Sequence, residues 1–199
     1  MVGLALLRAL LAAGREREFG RHVMRVRKAA LGTAGTSLCF AEILTKASLP
    51  AVHRDLAEEA VARASALDAP PRLLAAARYL VIRSCVGDAA AAKAFCAEYC
   101  AKVEQGGSLN EDCWSFLTDL STQGGYDGFA LAIAERMLEN RGAMDYLAFD
   151  TAAMAMFRAG RIDEALKLQT TSIEQGGKTD PEYVERLRRY TAAVADAGR

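Results

Sequence analysis

Predicted breaks between helices recur at a nearly constant interval along this chain of 199 residues. Tight turns are predicted at Gly14, Pro50, Gly87, Gly125 and Gly160, which are spaced 36, 37, 38 and 35 residues apart. Longer loops alternate with these turns, and the segments between them, each about 11–18 residues long, have the apolar periodicity of helices. A repeat of this length predicts stacked helical hairpins, because a single hairpin cannot bury its apolar face.

Composition supports the same fold class. Alanine contributes 40 of the 199 residues, whereas the β-branched residues that strands prefer are sparse. The chain has 25 Lys+Arg and 25 Asp+Glu, for a formal net charge of +0. Surfaces for nucleic acids or anionic membranes normally carry a basic excess, so neither partner is expected.

The segment 149–165 resembles a tetratricopeptide repeat. Phe149, an aromatic residue near the start of the first helix, is followed four residues later by the small residue Ala153. The turn glycine Gly160 is followed five residues later by Ala165, at a position where a small side chain lets two helices approach closely. Two earlier alanines lie at the same distance from a turn glycine: Ala92 and Ala130.

The resemblance implies an all-α fold, a right-handed superhelix of about five antiparallel helical hairpins, in one domain over residues 1–199. The first two repeats depart from the pattern, since Ala57 lies seven residues after Pro50 and Phe19 occupies the small-residue position of the first repeat. The approximate units are 1–35, 36–69, 70–107, 108–142 and 143–178, followed by a capping helix over 181–197.

The resemblance also implies a function, because arrays of this family bind a peptide or protein segment in a concave groove lined by the first helix of each hairpin. We therefore expect a non-catalytic scaffold without a cofactor. The inner-face positions carry charges of both signs, so the carboxylate clamp of chaperone-binding repeats is not expected. An alternative is that these residues complete the core between units. The predicted groove residues are Arg78, Phe116, Asp119, Asp150, Met154, Phe157 and Arg158, and the remaining inner-face positions are Arg8, Glu42, Thr45, Val81 and Ser115.

Two other functions are compatible with the sequence. A self-associating structural module would bury an exposed apolar face against a second copy. The stretch 131–190 is also similar to helical regions that follow thioredoxin-like domains in some bacterial proteins, which suggests an accessory module of a redox system. An enzyme is not expected, because the chain has no phosphate-binding glycine loop and no catalytic histidine or serine motif.

Cysteine and histidine usage predicts no metal site. The five cysteines form an odd set, which is typical of a reducing cytoplasm. Cys96 and Cys100 share a helix face and are expected to pack as small apolar residues, with redox chemistry as an alternative. The two histidines, His22 and His53, lie far from that pair in sequence and show no ligand spacing with it.

The apolar start of the chain imitates a signal peptide. Arg8 interrupts the apolar run, and only the amino terminus places positive charge before it, so cleavage is not expected. We interpret residues 1–13 as a helix with one buried face. No apolar stretch approaches the ~20 residues needed to cross a bilayer, so a cytoplasmic location is expected.

Overall fold

The computed structural model describes residues 2–118, 124–176 and 180–197, and within these ranges every element of regular secondary structure is a helix, as the composition predicts. Each predicted tight turn lies between two helices. Short 3-10 segments cover Pro50–His53 and Arg141–Ala143, and a π-helical segment over Val81–Val86 continues the fifth helix. The α-helices are α1 (Val2–Ala12), α2 (Glu16–Ala30), α3 (Ala34–Thr45), α4 (Arg54–Ala66), α5 (Pro71–Leu80), α6 (Ala89–Val103), α7 (Leu109–Thr118), α8 (Asp127–Glu139), α9 (Tyr146–Arg158), α10 (Ile162–Gln175) and α11 (Pro181–Ala197).

The chain divides into two compact units, Met1–Phe95 (unit 1) and Cys96–Arg199 (unit 2), and the boundary falls within α6. Their formal charges are opposite. Unit 1 contains 14 Lys+Arg and 8 Asp+Glu, for a charge of +6, whereas unit 2 contains 11 and 17, for a charge of −6. The zero net charge of the whole chain therefore conceals a strong asymmetry along the sequence.

In unit 1, α1 packs against α2, and α3 packs against both α4 and α5. The approach of α1 to α2 requires a glycine, because a Cβ atom at Gly3 would lie 2.6 Å from Cγ1 of Val26. Phe19 and Ala57, the residues that depart from the repeat pattern, are both fully buried. Both departures are therefore accommodated within the core of unit 1.

In unit 2, α7 packs against α8, α9 packs against α7, α8 and α10, and α10 packs against α11. Ala130 and Ala165 are fully buried, as expected for positions where helices approach closely. Gly160 adopts a left-handed conformation with φ of +77°. The turn before α8 was predicted at Gly125, but the glycine with positive φ there is the preceding residue, Gly124 (φ +76°). Gly125 itself is buried.

Candidate functional site

Three side chains of unit 2 come from three different helices and lie at a constant interval in the sequence. Trp114 lies on α7, Asp150 on α9 and Arg186 on α11, and 36 residues separate each from the next. The Nε atom of Arg186 donates a hydrogen bond to Oδ1 of Asp150 at 2.8 Å. The guanidinium carbon of Arg186 also lies 5.8 Å from the centre of the Trp114 ring, within the range of a cation–π interaction. Arg186 therefore contacts both of the other side chains.

The carboxylate of Asp150 is the buried centre of this cluster, with 1% of the residue exposed. Gln169 of α10 donates a second hydrogen bond to the same oxygen, from Nε2 at 2.8 Å. Burial raises the pKa of the Asp150 carboxyl group, and this effect outweighs the hydrogen bonds from Arg186 and Gln169, which lower it. Asp150 thus links α9 to both α10 and α11.

Aromatic contacts extend this arrangement along α9 and α11. The rings of Tyr146 and Tyr183 have centres 6.0 Å apart, and the rings of Phe157 and Tyr190 stack with centres 4.4 Å apart. From the first of these contacts to the second, the residue number increases on both helices, so α9 and α11 run parallel. Arg189 of α11 covers the Phe157 ring, with its guanidinium carbon 4.8 Å from the ring centre.

Part of this region remains open to solvent. Trp114 is 36% exposed and Leu147 of α9 is 41% exposed, while Met154, seven residues further along α9, is half-buried. The side chain of Arg186 is 16% exposed. We define the Trp114 face as Trp114 and Arg186 together with Leu147 and Met154, which lie on the same face of α9 as Asp150 by their helical spacing. It combines apolar side chains with a guanidinium group, a composition that is common at the energetic centres of protein interfaces.

Phe116, which was predicted to line a groove, lies in the core of unit 2. It is 1% exposed, and its ring packs edge-to-face against Phe129 and Tyr126, with centres 5.4 Å and 6.0 Å away. The reason is helical geometry, because two residues correspond to a rotation of about 200° around the helix axis. Trp114 therefore faces outward on α7 while Phe116 faces α8.

Asp150 likewise does not present its side chain to solvent, because Arg186 and Gln169 surround it. Of the other predicted groove residues in unit 2, Phe157 is half-buried against Tyr190, whereas Arg158 is exposed and pairs with Asp127 at 2.9 Å. Burial of Phe116 and Asp150 corrects the prediction that these two side chains line an open surface. Arg78 is exposed in unit 1, and Asp119 lies outside the described residues.

The inner-face charges predicted in unit 1 pair with each other. Arg8 of α1 contacts Glu42 of α3 through Nη2 and Oε2 at 2.7 Å, and Lys46 contacts the other carboxylate oxygen at 2.8 Å. Glu42 is 6% exposed, and the hydroxyl group of Thr45 donates to its backbone carbonyl. This part of the predicted inner face is therefore an ion-pair cluster around the buried carboxylate of Glu42, and it connects α1 to α3.

An open cleft of about 480 Å³ lies among α8, α9 and α10 in unit 2. Its floor contains the buried side chains of Met156 and Leu168. Arg161 lies at its rim, where it pairs with both Glu135 and Glu164. Three acidic and three basic residues line the cleft, so its formal charge is zero; they are Glu135, Glu139, Glu164, Arg141, Arg161 and Lys167.

The cysteines are free thiols, and four of the five are buried. The sulfur atoms of Cys96 and Cys100 lie 3.9 Å apart on α6. The hydrogen bond from the Cys100 thiol lowers the pKa of Cys96, whereas burial raises the pKa of Cys85 to about 11. Among the described residues, no group of three or more histidine, cysteine or acidic side chains is arranged to hold a metal ion.

Within the described ranges, no helix has the length and apolar character needed to cross a membrane. The chain matches no family model, and no curated protein or solved structure shows significant similarity to it.

Proposed function

We propose that this chain is a TPR-like array of five helical hairpins with a capping helix, wound as a right-handed superhelix, and that it is a non-catalytic scaffold which binds a protein segment on the Trp114 face. The observation that carries the proposal is that Arg186, held by the buried Asp150, lies against the ring of Trp114, which is 36% exposed. Neighbouring helices of a stacked array present side chains on a shared surface, and these contacts place an apolar and a cationic group side by side.

The chemistry of the Trp114 face supports a particular kind of partner. Trp114 and Leu147 offer exposed apolar area, and a buried aromatic anchor contributes strongly to protein association. Arg186 and the exposed Arg189 provide guanidinium groups that can pair with a carboxylate. The partner is therefore a segment in which an apolar side chain lies close to an acidic residue.

The buried pair beneath this face supports its role as a fixed platform. Because Asp150 holds Arg186 through a hydrogen bond of 2.8 Å, the guanidinium group is positioned over Trp114 before any partner arrives. Side chains that are already ordered lose less conformational entropy on binding. Preorganisation of this kind favours affinity without a large contact area.

Affinity capture from extracts of the source organism tests the proposal. The wild-type chain is compared with Trp114→Ala and with Leu49→Ala, which truncates an apolar side chain that is 70% exposed in unit 1. The proposal predicts at least one protein that the wild type and Leu49→Ala retain and Trp114→Ala loses, while circular dichroism shows the same helix content for all three. Identical captured proteins for the three chains would contradict it.

A further inference from the structure

The exposed side of α2 carries positive charge without any acidic residue. Seven residues of this helix are exposed, and four of them are cations. The two acidic residues of α2, Glu16 and Glu18, are only partly exposed, and each accepts a hydrogen bond, from Ser48 and Arg15 respectively. The exposed residues are Arg17, Gly20, Arg21, Met24, Arg25, Lys28 and Ala29.

The four cations on this side have no partner for their charge. Arg17, Arg21, Arg25 and Lys28 form no ion pair with any residue in the described part of the chain. Arg27, on another side of the same helix, does form one, with Glu59 at 2.5 Å. Unit 1 as a whole has a charge of +6, so its acidic residues do not balance its cations.

Gly20 is a second, independent feature of the same surface. It lies in the interior of α2, where glycine is unfavourable relative to alanine. No contact within the chain requires it, because a Cβ atom there would have no neighbour within 4 Å. An exposed helical glycine leaves the backbone open to close approach by another helix.

We infer that the exposed side of α2 is a docking surface for an acidic helical segment of a partner protein. Arg17, Arg21, Arg25 and Lys28 follow one another at helical spacing over about 16 Å. A partner helix with carboxylates at the same spacing pairs with them along this length, and its backbone approaches α2 at Gly20. Met24, which is 58% exposed, provides an apolar contact beside the charges.

An acidic helix fits this surface better than a membrane or a single-stranded nucleic acid. An interfacial membrane helix needs an apolar face turned outward, whereas Phe19, Val23 and Ala30 of α2 are buried inside unit 1. Single-stranded nucleic acids are bound with the help of exposed aromatic side chains, and α2 exposes none. The surface lies in unit 1 and is independent of the Trp114 face in unit 2.

Fluorescence anisotropy with the full chain tests the inference. The probe is a labelled synthetic helical peptide with glutamates along one face, and the reference peptide replaces those glutamates with glutamine. We expect the double variant that carries Arg21→Glu and Arg25→Glu to bind the acidic peptide about tenfold more weakly or worse. The matched control, Arg72→Glu with Lys93→Glu, makes the same charge change at two other exposed positions of unit 1 and leaves the affinity within about twofold.

A charge-neutral variant tests the approach at Gly20. Gly20→Gln leaves all four cations in place and fills the open space, so the acidic peptide should bind about fivefold more weakly or worse. Equal affinities for the two double variants, or an unchanged affinity for Gly20→Gln, would overturn the proposal. Tighter binding of a double-stranded DNA or of vesicles containing phosphatidylserine than of the acidic peptide would also overturn it.

Discussion

Arg186 and Asp150 are 36 residues apart in sequence and are joined by a hydrogen bond of 2.8 Å from Nε to Oδ1. Asp150 is buried, so this ion pair lies at the contact between α9 and α11 rather than on the surface. The contact between Arg186 and Asp150 therefore helps to hold α11, the last helix, against the rest of unit 2. The same guanidinium group extends over Trp114, so the structural pair also shapes the proposed binding face.

Removal of Arg186 should destabilise the chain, because it leaves the buried carboxylate of Asp150 without its cation. We expect Arg186→Met to lower the free energy of unfolding by about 3 kcal/mol, measured by urea denaturation. Arg188→Met on the same helix is the matched control. Its pair with Glu185 is exposed, so the loss there should stay below about 0.5 kcal/mol. Equal losses in the two variants would contradict a buried, structurally important pair.

The stability of the chain should depend on pH through Asp150. Burial raises the pKa of this carboxyl group above its ordinary value of 3.8, so the folded chain binds more protons than the unfolded chain between the two pKa values. Stability therefore falls as pH rises through that window. Arg186→Met removes a group that lowers this pKa, so the fall should become larger and extend to higher pH.

Urea denaturation between about pH 4 and pH 8 measures this effect, with Asp150→Asn as a control that cannot titrate. The single variant Arg186→Met is compared with the double variant that carries both Asp150→Asn and Arg186→Met. The difference between their unfolding free energies gives the contribution of the Asp150 carboxyl group. A difference that is constant with pH would show that Asp150 does not titrate in this way.

Overpacking of the buried alanines should destabilise unit 2. Ala130 and Ala165 are fully buried, so a tryptophan at either position must displace neighbouring helices. We expect Ala130→Trp and Ala165→Trp each to cost about 1–3 kcal/mol or more, visible as a lower melting temperature. Ala192→Trp, at an exposed position on α11, should leave the melting temperature nearly unchanged. Similar melting temperatures for all three variants would contradict the repeat register.

Thiol reactivity should distinguish Cys39 from the other four cysteines. Cys39 is partly exposed, whereas Cys85, Cys96, Cys100 and Cys113 are buried. Reaction of the native chain with an aromatic disulfide reagent should show one fast phase that corresponds to a single thiol, and Cys39→Ala should abolish it. A fast phase that persists in Cys39→Ala would show that the Cys96–Cys100 pair is accessible and would favour the redox alternative.

The repeat period was sufficient to predict the all-helical class and the places where helices end. Glycines and Pro50 interrupt helices for local reasons, and local effects are readable from sequence. Gly125 shows the limit of this information, since the left-handed residue of that turn is the neighbouring Gly124. Either glycine satisfies the local requirement, and the burial of Gly125 is a property that the local sequence does not report.

The groove residues were predicted less well, because an error of one residue in the register of a helix rotates the predicted side-chain direction by about 100°. Phe116 was assigned to the groove from the inner-face positions that the resemblance implies, but Trp114 is the residue that faces outward. The register of 35 residues between Ala130 and Ala165 pairs Asp150 with Ser115, so it did not point to Trp114. Burial of Asp150 depends on Gln169 and Arg186 together, and no local pattern reports such a contact between three helices.

Photo-crosslinking tests most directly whether the Trp114 face binds a protein segment. Benzoylphenylalanine is introduced in place of Trp114, and in a matched control in place of Ala97, which is exposed on α6. Irradiation in cells of the source organism should give a specific adduct from position 114 and none from position 97. The absence of a specific adduct from position 114, or the same adducts from both positions, would contradict the account.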